Sequence, residues 1–150
     1  MSDINTVLNE ILVRLFKNIN AIEEGVIKQS HIDNMTTNDM HVIEAIGNIG
    51  SRNMTSVAKS LMVTTGTLTI SVNSLVKKGY VVRERSEEDR RVVLVSLSEQ
   101  GLRAFDKHKA FHDKMVQQAV ALLSEEEKRI LAITLGNLNT FFRKQQEELK

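Results

Sequence analysis

The sequence contains no cysteine and no proline, and only 7 of its 150 residues are glycine. Without cysteine, the chain cannot form disulfides, sense redox state through a thiol or hold zinc through thiolates. The lack of proline and the few glycines favour a mainly helical chain with short connections. Lysine and arginine (20) nearly balance aspartate and glutamate (19), so the net charge of +1 does not by itself indicate a nucleic-acid partner.

The sequence also lacks a long apolar run and the motifs of common enzymes. No apolar stretch approaches the length that spans a bilayer, and nothing resembles a signal peptide, so a cytoplasmic protein without a membrane partner is expected. A nucleophile elbow, a P-loop and a glycine-rich dinucleotide turn are missing, so we expect no enzymatic activity. A chain of 150 residues is long enough for one domain with a real core, and residues 1–150 are interpreted as that domain.

Helical periodicity dominates both ends of the chain. In the first predicted helix the apolar stripe is wide for a chain terminus, which fits either a core helix or a helix shared with a second subunit. Gly25 and the polar segment Lys28 to Asn34 are expected to end this helix. Two further helices are predicted after a cap at Ser98 and a capping box at Ser124 to Glu127. The stripes are Leu8, Ile11, Leu12, Leu15, Phe16, Ile19 and Ile22 in the first helix, and, facing inward, Phe105, His108, His112, Met115, Ala119 and Leu122 in the fifth and Leu131, Leu135, Leu138 and Phe142 in the last.

Between these ends the sequence predicts three more helices and a hairpin. Thr36 to Asp39 looks like a capped helix start, and Asn53 or Thr55 can cap the helix that follows. A further helix begins after Val63, and Gly79 ends it. The expected order is four helices, a β-hairpin and two helices, which is a mainly α fold with a small β-hairpin wing.

The fourth helix combines a buried stripe with an exposed face of short polar side chains. Leu68, Val72 and Leu75 recur at i, i+4 and i+7 and are predicted to face the core. Short polar side chains let a helix sink into the major groove and still hydrogen-bond base edges, and backbone N–H groups at a helix start can bind phosphate. A merely solvated helix is the alternative for this face taken alone. The candidate reading residues are Thr65, Gly66, Thr67, Asn73 and Ser74.

The predicted hairpin carries arginines at and near its tip. Two β-branched runs, Tyr80 to Val82 and Val92 to Val95, enclose the charged loop Ser86 to Arg90. An arginine at a thin tip can enter a narrow minor groove, and Asp89 can hold the guanidinium of Arg91 in a fixed direction. A solvated charge run is the weaker interpretation, because this tip adjoins the polar helix. The hairpin adds Arg83, Asp89, Arg90 and Arg91 to the candidate DNA-binding residues.

Four segments form a recognisable set: Val63 to Thr69, Leu75 to Val81, Asp89 to Arg91, and Leu97 to Gly101. Together they resemble the MarR family of winged helix-turn-helix transcription regulators, over essentially the whole chain. A protein-interaction module that does not bind DNA would need neither the cleared helix face nor an arginine-tipped wing.

The resemblance implies an obligate homodimer that represses genes by binding an AT-rich, pseudo-palindromic operator in double-stranded DNA. It implies a DNA-binding lobe at about residues 36–97, and dimerisation helices at about residues 4–24 and 98–148. It also implies that Thr65 and Thr67 lie in the major groove, Arg83 near the DNA backbone and Arg91 in the minor groove.

Residues outside this surface are candidates for a switch. His108 and His112 are one turn apart on the fifth helix, and two buried imidazoles are costly unless they are hydrogen-bonded, metal-bound or line a pocket. Three interpretations therefore stay open: a structural role, a zinc site, or a pocket for an apolar effector. The zinc set would be Glu24, His41, His108 and His112, whose ligand types suit that metal.

The apolar-effector interpretation depends on a closer resemblance. Asp39 to Ile43, His108 to Val116 and Ile22 to Glu24 are similar to the branch of the MarR family that represses fatty acid synthesis. This resemblance implies a long acyl chain, carried on acyl carrier protein, as corepressor, with no resident cofactor. Each methylene buried would contribute roughly 0.8 kcal/mol. The implied pocket residues are Glu24, His41, Phe105, His108, Phe111, His112 and Met115.

Overall fold

The computed structural model describes residues 3–29 and 34–150, which form six helices and three strands. The expected order of helices and hairpin is confirmed, with one additional short strand. The described chain divides into two compact units, the first ending at His108 and the second running from Lys109 to Lys150. The elements are α1 (Ile4–Gln29), α2 (Thr37–Ile46), β1 (Arg52–Asn53), α3 (Met54–Leu61), α4 (Thr65–Lys77), β2 (Val81–Arg85), β3 (Val93–Leu97), α5 (Glu99–Val120) and α6 (Glu125–Glu148).

The helix starts predicted from hydroxyl and amide side chains are confirmed. The Thr36 hydroxyl accepts a hydrogen bond from the Asp39 N–H at 3.1 Å, and the Asp39 carboxylate accepts one from the Thr36 N–H at 3.0 Å. Asn53 caps α3, and Ser124 forms a capping box with Glu127 at α6. Hydrogen bonds from Ser124 lower the pKa of the Glu127 carboxyl. Helix α1 continues through Gly25 to Gln29, so the predicted end at Gly25 is wrong, because a single glycine lowers helix stability without breaking the helix. Residues 30–33 of the predicted terminating segment lie outside the described residues.

The core of the first unit lies beneath α4. Leu68, Val72 and Leu75 are fully buried, as the spacing predicts, and they pack in one cluster with Ile43 of α2 and Val57 of α3. Burying one such side chain stabilises the fold by about 1.5–3 kcal/mol. Helices α2 and α3 thus hold α4 in place from one side.

The strands form a three-stranded antiparallel sheet in the order β1-β3-β2. In the hairpin, Val81 pairs with Leu97 and Arg85 with Val93. Strand β1 was not predicted, because it is only two residues long and pairs with β3 about 40 residues further along the chain, Arg52 opposite Val95. This pairing ties the hairpin back to the residues just before α3.

Two glycines fix the joints at the base of the hairpin. Gly79 has φ +84°, a left-handed conformation that glycine adopts without strain. A Cβ at Gly101 would lie 2.1 Å from the carbonyl oxygen of Tyr80, so only glycine lets the start of α5 approach so closely. The Ser98 hydroxyl donates to the Gly79 carbonyl at 2.6 Å and accepts from the Gly101 N–H at 3.1 Å.

The predicted burial of the apolar stripes is confirmed for the first half of α5, where His108 is buried and Phe105 half-buried, and is wrong in a single chain for the end of α5 and much of α6. Leu122 is 98% exposed and Ala119 is exposed, and of the α6 stripe Leu135 and Phe142 are exposed while Leu131 and Leu138 are half-buried. The second unit contains only the end of α5 and α6, too little chain to cover an apolar helix face. None of the helices within residues 3–29 and 34–150 is long and apolar enough to cross a membrane.

Candidate nucleic-acid interface

The exposed face of α4 presents short polar groups on a helix that is held firmly from behind. Thr65, Gly66, Thr67 and Asn73 are exposed, and Ser74 is half-buried. The first amides of a helix have no partner within the helix, so the start of α4 offers N–H groups to an anion such as a DNA phosphate. The face of α4 that was predicted to carry short polar side chains is therefore accessible to a partner.

Thr64 organises the start of this helix. Its hydroxyl oxygen accepts from the Thr67 N–H at 3.1 Å and lies 3.0 Å from the Thr67 hydroxyl. The Thr69 hydroxyl donates to the Thr65 carbonyl at 2.8 Å. These contacts fix the first turn, so its exposed threonine methyls and hydroxyls occupy defined positions before any partner binds.

The wing tip holds one arginine in a fixed direction. The Asp89 carboxylate accepts hydrogen bonds from Nε and Nη2 of Arg91, both at 3.1 Å, while the Arg91 side chain stays 91% exposed. Hydrogen bonds from Arg91 lower the pKa of the Asp89 carboxyl. Arg85 donates to the Arg90 carbonyl at 2.8 Å and so braces the loop from the strand. The predicted contact between Asp89 and Arg91 is confirmed.

A hydrogen bond joins the wing to the recognition helix. The Arg83 guanidinium, on β2, donates to the side-chain oxygen of Asn73 on α4. The sequence placed both residues at the DNA surface but not in contact with each other. This contact occupies one lone pair of the amide oxygen and therefore sets the orientation of the Asn73 amide group.

An open groove runs between the wing and the starts of α3 and α4. It is lined by the hydroxyls of Thr55, Thr65 and Thr69 and by the guanidinium-bearing residues Arg83, Arg85 and Arg91, with Glu84 also present. Hydroxyls and guanidinium groups are the side chains that bind phosphate and base edges. Sequence reasoning missed Thr55 and Thr69, because nothing local indicates that they line the same groove.

Contacts behind this surface hold α2, α3 and α4 together. Arg52 donates to the Ala45 carbonyl and to the hydroxyls of Ser56 at 2.7 Å and Ser60 at 3.1 Å. Lys78, just after α4, pairs with the buried carboxylate of Asp39 at 2.8 Å. Sequence reasoning missed both cations, because their partners lie in other elements.

Two of the candidate effector residues in the first unit, His41 and His108, lie near a carboxylate that was not predicted. Glu24 is exposed, whereas Glu23 is only 5% exposed. One step along a helix turns the side chain by about 100°, so the buried acid is Glu23 and the predicted Glu24 faces outward. Glu23 lies 3.9 Å from Nε2 of His41 and 4.0 Å from Nε2 of His108, and His108 is also 3.5 Å from Glu44.

The other predicted pocket residues are divided between the units. In the first unit, Phe105 is half-buried against the core. In the second, the rings of Phe111 and His112 pack edge to face with centroids 5.3 Å apart, and Met115 is half-buried.

The polar helix face, the braced arginine and the three-stranded sheet are those of a winged helix-turn-helix DNA-binding protein. The family model for the transcriptional regulator SarA/Rot matches residues 25–108. SarZ of Staphylococcus haemolyticus is 33% identical over 69% of this chain and 69% of its own. The chain belongs to the MarR/SarA family of transcriptional regulators, which are not enzymes.

Solved structures agree with this assignment. Streptococcus pneumoniae FabT in complex with DNA has a TM-score of 0.83 and 38% identity, covering 94% of this chain and 99% of that one. A MarR protein of Peptoclostridium difficile, at 17% identity and a TM-score of 0.72, covers 96% of this chain and 92% of its own and shows the same fold. The chain is a DNA-binding transcriptional regulator that is similar to FabT.

Proposed function

We propose that this regulator is a homodimeric repressor that reads an AT-rich, pseudo-palindromic operator with α4 in the major groove and the wing in the minor groove. The observation that carries the proposal is the pairing of Arg91 with Asp89, which aims an exposed guanidinium beside an accessible polar helix face. Narrow, AT-rich minor grooves have the negative potential that attracts such a group. The proposed contacts are Thr65, Gly66, Thr67, Asn73, Ser74, Arg83, Arg90 and Arg91, with Asp89 as the positioning residue.

The proposed second copy is supported by the apolar side chains that a single chain leaves in water. On α1, Leu15 is 49% and Phe16 67% exposed, and on α6 Ile133 and Phe141 are also exposed. Large exposed apolar side chains on a helix face of this kind mark an interface between proteins. A two-fold axis between copies would place the two α4 helices about one turn of DNA apart.

The proposed regulatory signal is a long acyl chain on acyl carrier protein, and the regulated genes are those of fatty acid synthesis. Two segments, residues 39–43 and residues 108–116, resemble the fatty-acid-synthesis repressors and support this proposal. The 38% identity with FabT supports it as well. An acyl chain that fits only the DNA-competent dimer would raise the population of that state and tighten operator binding. The pocket residues stay as predicted from the sequence, apart from Glu24.

Fluorescence anisotropy with a duplex selected by the protein from a randomised library tests this signal. We expect acyl carrier protein bearing a C16 or C18 chain to tighten binding, and carrier protein without an acyl chain to have no effect. Within the length that the protein buries, each methylene removed should weaken the effect by up to about fourfold. Equal binding with all of these carriers would contradict the lipid signal.

A zinc-responsive regulator is the second candidate, because Glu23 lies between the imidazoles of His41 and His108. A carboxylate and two imidazoles are suitable zinc ligands. In the same assay, this candidate would be favoured if zinc tightened operator binding and a chelator reversed the effect. The substitution Glu23→Gln should then abolish the response to zinc. Glu24→Gln is the matched control, since Glu24 is exposed one residue away.

A further inference from the structure

One residue on the reading face of α4 is neither short nor polar. Ile70 is 74% exposed, although burying an isoleucine side chain is worth about 1.5–3 kcal/mol. It lies two residues from both Leu68 and Val72, which are fully buried, and two residues correspond to a rotation of about 200°. Ile70 therefore stands near the middle of the face that points away from the core.

The surroundings of Ile70 do not form an apolar docking surface. The residues one turn away on the same face are Gly66, Thr67, Asn73 and Ser74, and Lys77 follows two turns on. The wing contributes Arg83, which contacts Asn73. A single aliphatic side chain in a polar and cationic surface fits a nucleic-acid partner that offers an isolated apolar group, and fits poorly with an apolar protein face.

Base edges in the major groove present one apolar group, the C5 methyl of thymine. We propose that Ile70 contacts a thymine methyl and makes the protein select thymine at one position in each half-site. The inference depends on the proposed role of α4 as the recognition helix. The contact would add a preference that hydrogen bonds from Asn73 or the threonines do not supply, because it tests for a methyl group.

Replacing thymine by deoxyuridine removes this methyl and leaves the base-pairing edge unchanged, so it provides a direct test. The probe is a duplex selected with the wild-type protein, in which each symmetric pair of thymines is replaced in turn. At one pair we expect wild-type affinity to fall about fourfold when one half-site is changed and about 15-fold when both are. Ile70→Ala should bind the unmodified duplex with a similar loss and lose its sensitivity to that replacement.

Ile49→Ala is the matched control, because Ile49 is 91% exposed in the same unit but lies outside α4. It should keep the wild-type sensitivity to deoxyuridine. Circular dichroism and thermal unfolding should show that Ile70→Ala folds as the wild type does, since an exposed position has little packing to lose.

The outcomes separate the two claims. Wild-type binding that is insensitive to every replacement, or equal sensitivity in Ile70→Ala and the wild type, would overturn the role of Ile70 and leave the proposed recognition helix intact. Failure of the wild type to select any duplex would overturn DNA reading by α4, and the inference about Ile70 with it.

Discussion

The winged lobe and the helices at the two ends of the chain differ in how much apolar surface they bury. In the lobe, Val57, Val72 and Leu75 have no measurable exposure, and hydrogen bonds such as that between Arg83 and Asn73 join its elements. None of the residues of α6, all of which the structure describes, is buried, and α1 buries only Glu23 and Ile27. The difference teaches that a single chain buries the core of the winged lobe, whereas it leaves most apolar side chains of α1 and α6 exposed; the proposed second copy would cover them.

The largest expected effect comes from charging the exposed apolar face of α1. Leu15→Glu would place a carboxylate in the proposed interface, where a charge without a partner is costly. We expect a dimer-to-monomer change in analytical ultracentrifugation and operator binding at least about 100-fold weaker, because the two half-sites would no longer be bound together.

The control for this variant is Thr6→Glu on the same helix. Thr6 is exposed and precedes Leu15 by nine residues, which is about half a turn out of phase, so it carries the same charge on the opposite face. This variant should remain dimeric. A Leu15→Glu protein that is still dimeric and binds the operator normally would remove the contrast between lobe and end helices.

The next largest effect is expected at the wing. Arg91→Ala removes a guanidinium from each half-site, and we expect operator affinity to fall between about 10-fold and 100-fold with the dimer unchanged. The control is Arg103→Ala, which removes an exposed arginine that pairs with Glu99 at 2.8 Å on α5. Titrations at matched salt are needed, because any lost cation weakens DNA binding. Equal losses for the two variants would mean that Arg91 acts only through its charge.

The sequence predicted those features of the lobe that depend on neighbouring residues. Spacing alone identified the buried stripe Leu68, Val72 and Leu75, and single side chains identified the caps at Thr36 and Ser124. The pairing of Asp89 with Arg91 could be predicted because only one residue separates them. Local pattern and structure agree wherever one chain supplies both partners of a contact within a turn or two.

The features that escaped prediction depend on distant residues. Strand β1 exists because Arg52 lies opposite Val95, and Asn73 meets Arg83 only after the hairpin folds back. The side chains of Glu23 and Glu24 point in directions that differ by about 100° around the helix. The apolar stripe of this helix is too wide to show which of the two is buried. Leu122 was expected to be buried because periodicity reports an apolar face without reporting what covers it.

A smaller effect is expected from the link between wing and helix. Asn73→Ala should change which base is preferred at one operator position and weaken binding by about fivefold. Arg83→Ala should weaken binding as well, and the double variant should lose less than the sum of the two free-energy changes by about 0.5 kcal/mol or more. Competition titrations over single-base operator variants measure both effects. Strict additivity would show that the two residues act independently.

The smallest effect is expected from the residue that aims Arg91. Asp89→Asn keeps the shape but weakens the hold on the guanidinium, and we expect binding about threefold weaker. The contact with Arg91 lowers the pKa of the Asp89 carboxyl in the folded protein. The contribution of ionised Asp89 to operator binding is therefore present above the usual aspartate pKa, and it is lost only as the pH falls through the lowered pKa. The ratio of wild-type to variant affinity should therefore stay constant from pH 8 to about 5.5. A ratio that changes within this range would point to another titrating group.

The central claim is that stable operator binding requires two protomers on one duplex. Native mass spectrometry of the protein with its selected duplex tests this claim most directly. At every ratio of protein to DNA, we predict that two protomers occupy one duplex, and that a duplex cut to one half-site captures little protein. A stable complex of one protomer with either duplex as the main species would contradict the account.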